Sequence, residues 1–267
     1  MNHLLRSLAP VSDSGWELLD DEARSRLTAA LAARKVVDFG GPSGWEHSAT
    51  NLGRSKKVDT NLLEGVTARQ RNVLPLVELR ADFAIRLDEL RDHDRGRPDV
   101  DLGELDEAAH KIAVAENTAV FHGWGDVGVT GIAEASPHPA QTLGAEAESY
   151  PRSVAAAVEL LLQTGIGGPY ALALGREQYT DVVETAEHGG YPLLDHLRKI
   201  LDGPVIWAPG LKGAVVVSLR GGDFRFESGQ DFAIGYERHD DDAVSLYLEE
   251  SFSFVVATPE AAVPLSP

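Results

Sequence analysis

Cysteine is absent from the 267-residue chain, and methionine occurs once. The first absence removes disulfides, thiolate nucleophiles and every cysteine-based metal site together. Long apolar runs are missing as well. No window approaches the ~18 apolar residues of a membrane span. The opening MNHLLRSLAPVS offers only Leu4 and Leu5, where a secretory signal needs an apolar stretch of ~7–15 residues. A cytoplasmic protein with no membrane partner is the expectation. Basic charge is scarce too: 24 Lys and Arg stand against 42 Asp and Glu, a net charge of -18. Proteins that package or read nucleic acid need clustered cations to neutralise phosphates, so no nucleic-acid partner is expected. The acidity by itself implies solubility and little else.

What is present is an apolar fraction of 43%, sufficient for one large domain or two modest ones. From Ser14 to Ala33 a capping-box pair, Ser14 and Glu17, precedes apolar residues at three- and four-residue spacings, which predicts an amphipathic helix. Residues 40–72 have weak periodicity and reversed charge, with Arg54, Lys56, Lys57, Arg69 and Arg71 against Asp59 and Glu64. They read either as a solvated loop or as a long arm whose basic tip meets an acidic neighbour. Alternation from Val73 to Leu87 predicts a long strand, a charged connector follows, and a helix is expected from Glu104 to His122 with Gly123 as its stop. Residues 130–221 read as a separate α/β unit. Its expected helices lie near 151–164, 176–184 and 192–201, and its strands at PYALAL, PVIWAP and GAVVVSLR. The chain then returns to a last strand of unusual length. From Val244 to Val256 every even position is apolar except Glu250, while the odd ones are mostly polar. That implies one buried face and one wet face over ~43 Å.

Chemistry is harder to find. GWGDVG at 123–128 fits a dinucleotide fingerprint in letters, but it follows a helix where the fingerprint needs a strand before it and a helix after it. GPSG at 41–44 is not a nucleophile elbow. Asp92, Asp94, Asp99 and Asp101 lack the spacing and terminal Glu of a calcium loop. His188 and His196 are separated by Gly189, Gly190 and Pro192, which break the helix a metal pair would need. No catalytic residue and no metal ligand is expected.

The arrangement carries more than any motif does. The segments LLRSLAPVSDSGWELLDDEA, RKVVDFGGP, GVTARQRNVLPLVELRADF, AENTAVFHGW, GPYALALG, VVETAEHGGYPLLDHL, WAPGLKGAVVVSLRGGDF and the final GQDFAIGYERHDDDAVSLYLEESFSFVVATPEA together resemble the family 1 encapsulins. These are bacterial nanocompartment shell proteins with an HK97-like capsid fold, and the resemblance covers essentially the whole chain. It implies an α+β subunit with a peripheral domain at 1–39, 73–130 and 222–267, an extended E-loop at 40–72 and an axial domain at 131–221. A flat, wall-forming subunit accommodates a strand that a sphere could not, and the wet face of the terminal sheet would look into the lumen.

Function follows from the resemblance as an expectation. About 60 copies would close into an icosahedral shell around a cargo enzyme, a dye-decolorizing peroxidase or a ferritin-like protein, held by the cargo's C-terminal peptide. The peptide groove would lie between the N-terminal helix and the terminal sheet, with Leu27, Leu31, Ile234 and Tyr247 as apolar anchors and Arg34 and Asp38 as the polar pair beside it. For any one of these aliphatics, a plain core role is the competing reading. The loop ETAEHGGYP would line a five-fold pore through Glu184, Glu187, His188, Gly189, Gly190 and Tyr191, with one glycine more than the family's usual HGYP. His188 would let the ring charge vary near pH ~6.5. Arg54, Lys56 and Lys57 would make the E-loop contact between subunits. Some encapsulins bind flavin beside a Trp on the strand after the E-loop. Leu87 stands there in this chain, so no flavin and no other cofactor is expected. A viral capsid protein shares the fold but should package DNA, which the charge opposes. A protease or bacteriocin-like activity is the remaining alternative.

Overall fold

The structure is a computed structural model that describes residues 3–59, 63–144, 146–186 and 190–267. Two sheets and a projecting hairpin organise it. The first sheet is built on β11, Ala243–Val256, the expected long strand. Along one edge β11 pairs antiparallel with β4, Val77–Arg86, from Ala243↔Arg86 to Phe252↔Val77. Its other edge is shared: β10 (Ala233–His239) takes the first half and β9 (Phe224–Ser228) the second. The short β1, Asp38–Gly40, adds in parallel to β9.

Two helices cover the even face of β11. Helix α1, Asp13–Ala30, brings Leu19, Ala23 and Leu27; α3, Gly103–His122, brings Leu105, Ala109 and Ile112. These side chains meet Phe83 and Ile85 of β4 and Val244, Leu246 and Leu248 of β11 in one core. The cap of α1 is Ser12, whose Oγ accepts from Gly15 N at 3.0 Å, rather than the expected Ser14. Both serines donate instead to Asp94 at the end of α2, Leu87–Asp94. That helix lies within the segment expected to be a charged connector; its two core anchors, Leu87 and Leu90, are too few to show a period among so many charges. Leu87 therefore starts a helix and does not end a strand.

The odd face of β11 is not wet. Tyr247, Glu249, Ser251 and Ser253 are all buried, because other parts of the chain lie over them. His3 Nε2 is 2.7 Å from Glu249, Gln230 N donates to Ser251 Oγ at 2.9 Å, and Ser253 Oγ is 2.5 Å from Thr50 Oγ1. Alternation reported the side chains correctly; it carried no information about what covers them.

The second sheet has the order β5–β12–β8–β6–β7, with β5 Gln141–Thr142, β6 Tyr170–Leu174, β7 Val205–Trp207, β8 Ala214–Ser218 and β12 Ala262–Ser266. Around it lie α4 (Ile132–Ala135), α5 (Tyr150–Gln163), α6 (Arg176–Glu184) and α7 (Leu193–Leu201). The expectation put all of 222–267 with the first sheet, yet β12 inserts between β5 and β8 of the second. Helix α3 serves both halves: Leu105 to Ala113 belong to the first core, and Ala119 to Phe121 to the second. It ends at Gly123, whose φ of 90° and crowding by Gly131 N and Glu134 exclude a Cβ. GWGDVG is thus a helix stop followed by a tight loop, closed by the backbone bridge between Trp124 and Val129.

The segment 40–72 and its continuation to Pro75 contain β2, Ala49–Lys57, and β3, Arg69–Pro75, which among the described residues pair with each other and with no other strand. The expected continuous strand from Val73 breaks after Pro75, and Leu76 N donates back to Ser48 O. Of the residues in β2 and β3 only Thr50 is buried, so the sequence shows no apolar face from which strands could be read.

Candidate functional site

Between α1 and the β10 edge of the first sheet lies a groove of about 380 Å³. Ala23, Leu27 and Leu31 form one wall, and Phe232, Ala233, Ile234 and Leu248 form the floor and the other wall. Leu27, Leu31 and Ile234, expected here, are brought together. They are also largely buried, so they shape the groove as members of the core beneath it. The accessible lining is Arg6, Asp20, Arg24, Thr28, Arg34, Asp231, Phe232 and Ala233.

Tyr247 is not part of the groove. It sits on the odd face of β11, opposite Gly235, where a Cβ would run into its ring. The missing side chain lets the ring lie across β10, and Arg80 stacks on it at 3.9 Å. Its chain neighbour Leu248 points the other way and lines the groove. The expectation was off by one residue, which in a strand means the opposite face.

Arg34 closes one end of the groove. It lies in the single turn Ala33–Lys35 that follows α1, held by Asn117 Oδ1 accepting from the N–H groups of Ala32 and Ala33. Its Nε donates to Glu116 Oε2 at 2.7 Å, Nη1 to Asp231 Oδ1 at 2.8 Å and Nη2 to Glu250 Oε2 at 2.8 Å. Phe39, Phe226 and Phe232 surround the guanidinium at 4.6–5.0 Å. Burial works against its charge, but Glu116 and Glu250, with Asp231, outweigh that and hold Arg34 above the usual arginine value. Asp38 is not its partner. It lies on β1 outside the groove, and its Oδ2 accepts from Gly222 N at 2.6 Å.

Of the expected pore residues, Glu187, His188 and Gly189 lie outside the described residues. The flanking residues meet: Ala186 and Pro192 make a backbone bridge, and Leu193 N donates to Thr185 O at 3.2 Å. Glu184, the last residue of α6, is exposed, as are Gly190 and Tyr191. Lys199 Nζ lies 4.9 Å from the centre of the Tyr191 ring. Arg54, Lys56 and Lys57 are exposed along β2.

A profile of the family described as "Encapsulating protein for peroxidase" matches residues 1–253. The type 1 encapsulin shell protein of Rhodospirillum rubrum is 48% identical over 270 aligned residues, covering 99% of this chain and 96% of that one. The chain belongs to the type 1 encapsulin shell proteins. The corresponding protein of Mycobacterium tuberculosis is 41% identical over 268 residues and is matched over its full length. Among solved structures, a virus-like particle from Pyrococcus furiosus superposes with a TM-score of 0.66 at 16% identity, covering 94% of this chain and 99% of that one. The capsid of an empty GTA particle gives 0.53 at 16% identity, with 89% and 90% covered. At such identities these likenesses establish the fold, and it is the HK97-like capsid fold. This encapsulin is a structural subunit, not an enzyme, and it builds a capsid-like particle from copies of itself. Among its described residues no helix is long and apolar enough to cross a membrane.

Two buried acids of this encapsulin, Glu116 and Glu250, were not among the expected site residues. Glu250 was visible as the one charged residue on the apolar face of β11. Glu116 could have been found the same way, since it falls at helical spacing between Ile112 and Ala119 on the buried stripe of α3. Leu87 is buried, and its N–H donates to Asp242 O at 2.8 Å.

Proposed function

We propose that about 60 copies of this chain close into an icosahedral compartment in the bacterial cytoplasm, and that the groove between α1 and β10 holds a C-terminal peptide of an enclosed enzyme. The observation that carries the docking role is the groove itself, a trough with apolar residues at its base and charged residues along its rim, one end of which is held by Arg34. Each apolar peptide side chain buried there contributes ~1.5–3 kcal/mol, and the Arg34–Asp231 rim sets direction and register. Modest single-site affinity suffices, because many copies line one wall and a multimeric cargo engages several at once. The family's description names a peroxidase, which supports a dye-decolorizing peroxidase as cargo; a ferritin-like protein is the second candidate. In this reading the loop around Glu184–Tyr191 frames the five-fold pore, and Arg54, Lys56 and Lys57 bond the E-loop to an acidic neighbour.

Native particles answer the question directly. Electron microscopy should show closed shells of uniform size, free of nucleic acid, and mass spectrometry should find one enzyme inside. Deleting that enzyme's C-terminal extension should give empty shells. Retention of the truncated enzyme would refute the docking role, and small oligomers under all salt conditions would refute the compartment.

A further inference from the structure

The polar end of the groove holds more acid than its one cation can neutralise. Arg34 is faced by Glu116 from α3, by Glu250 from β11 and by Asp231 from the β9–β10 connection, with aromatic rings around the remainder. Asp231 is 40% exposed and is solvated, whereas the Glu116 and Glu250 side chains are 0% and 1% exposed. Each buried carboxyl uses Oε2 to accept from Arg34 and leaves Oε1 with no donor. The two carboxyls are neighbours, since Oε2 of both lies against the same nitrogen, Arg34 Nη2, at 2.7 Å for Glu116 and 2.8 Å for Glu250. Two ionised carboxylates so placed would repel each other and leave two buried acceptors unmet. One proton between them removes both problems.

We propose that Glu116 and Glu250 share one proton at neutral pH, with the Glu250 hydroxyl donating to Glu116, and that releasing this proton to solvent in alkaline solution weakens the groove. The chemistry around the pair supports this assignment. Burial, followed by the nearby Glu116 charge, pushes Glu250 well above the usual glutamate value against the pull of Arg34. Burial raises Glu116 as well, and Arg34 opposes it more directly. With the proton gone, a second buried charge competes for Arg34 and draws the guanidinium away from Asp231 at the rim. Leu248, on the groove floor, is two residues from Glu250 on the same face of β11. Disturbance at the acid pair therefore reaches the peptide surface through one strand. The coupling to peptide rests on the docking function proposed above; the shared proton does not.

The test uses assembled particles of the parent, E250Q and E116Q. Infrared spectroscopy at neutral pH should show the carbonyl stretch of a protonated buried carboxyl in the parent and lose it in E250Q. In E116Q, where Glu250 no longer has a like charge beside it, the band should fade at lower pH than in the parent. Melting gives a sign test. A group whose folded value is raised contributes stability that is complete below its unfolded value and lost as pH rises through its folded value. The E250Q melting temperature should therefore gain on the parent from about pH 5 upward. If Glu250 were an ordinary ionised partner of Arg34, E250Q would melt below the parent at neutral pH and the gap would close on acidification. That result, or a parent without the band, overturns the proposal. Binding of a synthetic peptide copied from the C-terminus of the co-purifying enzyme should weaken about tenfold from neutral pH to about pH 9 in the parent and stay flat in E250Q. A flat parent profile with the band present refutes the coupling alone. Absence of binding at every pH refutes the docking function and leaves the shared proton standing.

Discussion

Replacing Asn117 by Ala should destabilise the subunit more than any other single polar truncation on α3. Asn117 is fully buried, and its side chain makes four hydrogen bonds to main chain. Oδ1 accepts from Ala32 and Ala33 N at 3.0 and 2.9 Å, and Nδ2 donates to Ala30 and Pro209 O, both at 2.9 Å. One side chain thus joins the end of α1, the start of the Arg34 turn and the loop after β7. At a net value of ~0.5 kcal/mol each, four bonds set a floor near ~2 kcal/mol; at the ~1–3 kcal/mol desolvation cost of each stranded group, the ceiling approaches ~12 kcal/mol. Alanine recovers ~0.5 kcal/mol of helix propensity, and partial relaxation brings the expected loss to ~4 kcal/mol. At ~2–4 °C per kcal/mol for a chain near this size, the melting temperature should fall by ~8–16 °C. The scan must be run at fixed subunit concentration, because assembly stabilises the folded chain by mass action. Asn117→Asp gives a second reading. A buried Asp there is stable only while protonated, so this variant should melt closest to the parent in acid and lose ground as pH rises. An Ala variant melting within about 3 °C of the parent would show that the four groups find other partners and that the node does not hold the groove wall.

Further outcomes follow from the same geometry. Gly235→Ala places a methyl inside the space of the Tyr247 ring, so the ring must leave its stack with Arg80; the cost should be ~1–3 kcal/mol, measured by urea unfolding. Thr28→Glu puts a charge on the exposed lining of the groove without touching the core. Particles should form normally while the copied cargo peptide loses at least about tenfold in affinity by fluorescence anisotropy. Reversing Arg54, Lys56 and Lys57 together to Glu should leave a folded subunit, by circular dichroism, that fails to form particles by size-exclusion chromatography. Normal particles from that triple variant would exclude a charge-matched E-loop contact.

How much of this was legible in the sequence varies with the physical signal each part carries. Strand β11 and helices α1, α3, α5 and α7 were readable because a buried face imposes a period on them. Helix α2 was not, since two anchors among ionised residues leave no period to detect. The β2–β3 hairpin pairs only with itself in the isolated subunit, so nothing constrained its side chains to alternate. Leu27, Leu31, Arg34 and Ile234 came together as expected, because helix periodicity and strand order place them. Tyr247 and Asp38 did not. The parity of Tyr247 was legible in the alternation, but which face of β11 borders the groove depends on where α1 packs, and Asp38 depends on a loop contact with Gly222; neither of these is written locally. Glu116 and Glu250 were both legible as charges out of place on apolar stripes, but only their juxtaposition across α3 and β11 shows what they share.

Strand β12 has an implication for how such subunits are manufactured. Residues 262–266 pair with β8 on one side and β5 on the other, and a ribosome delivers them after both neighbours. Until then the second sheet has a slot in its interior with two open edges, each able to recruit a stray strand. A prematurely terminated polypeptide would keep that slot open and offer sticky edges in place of a finished tile.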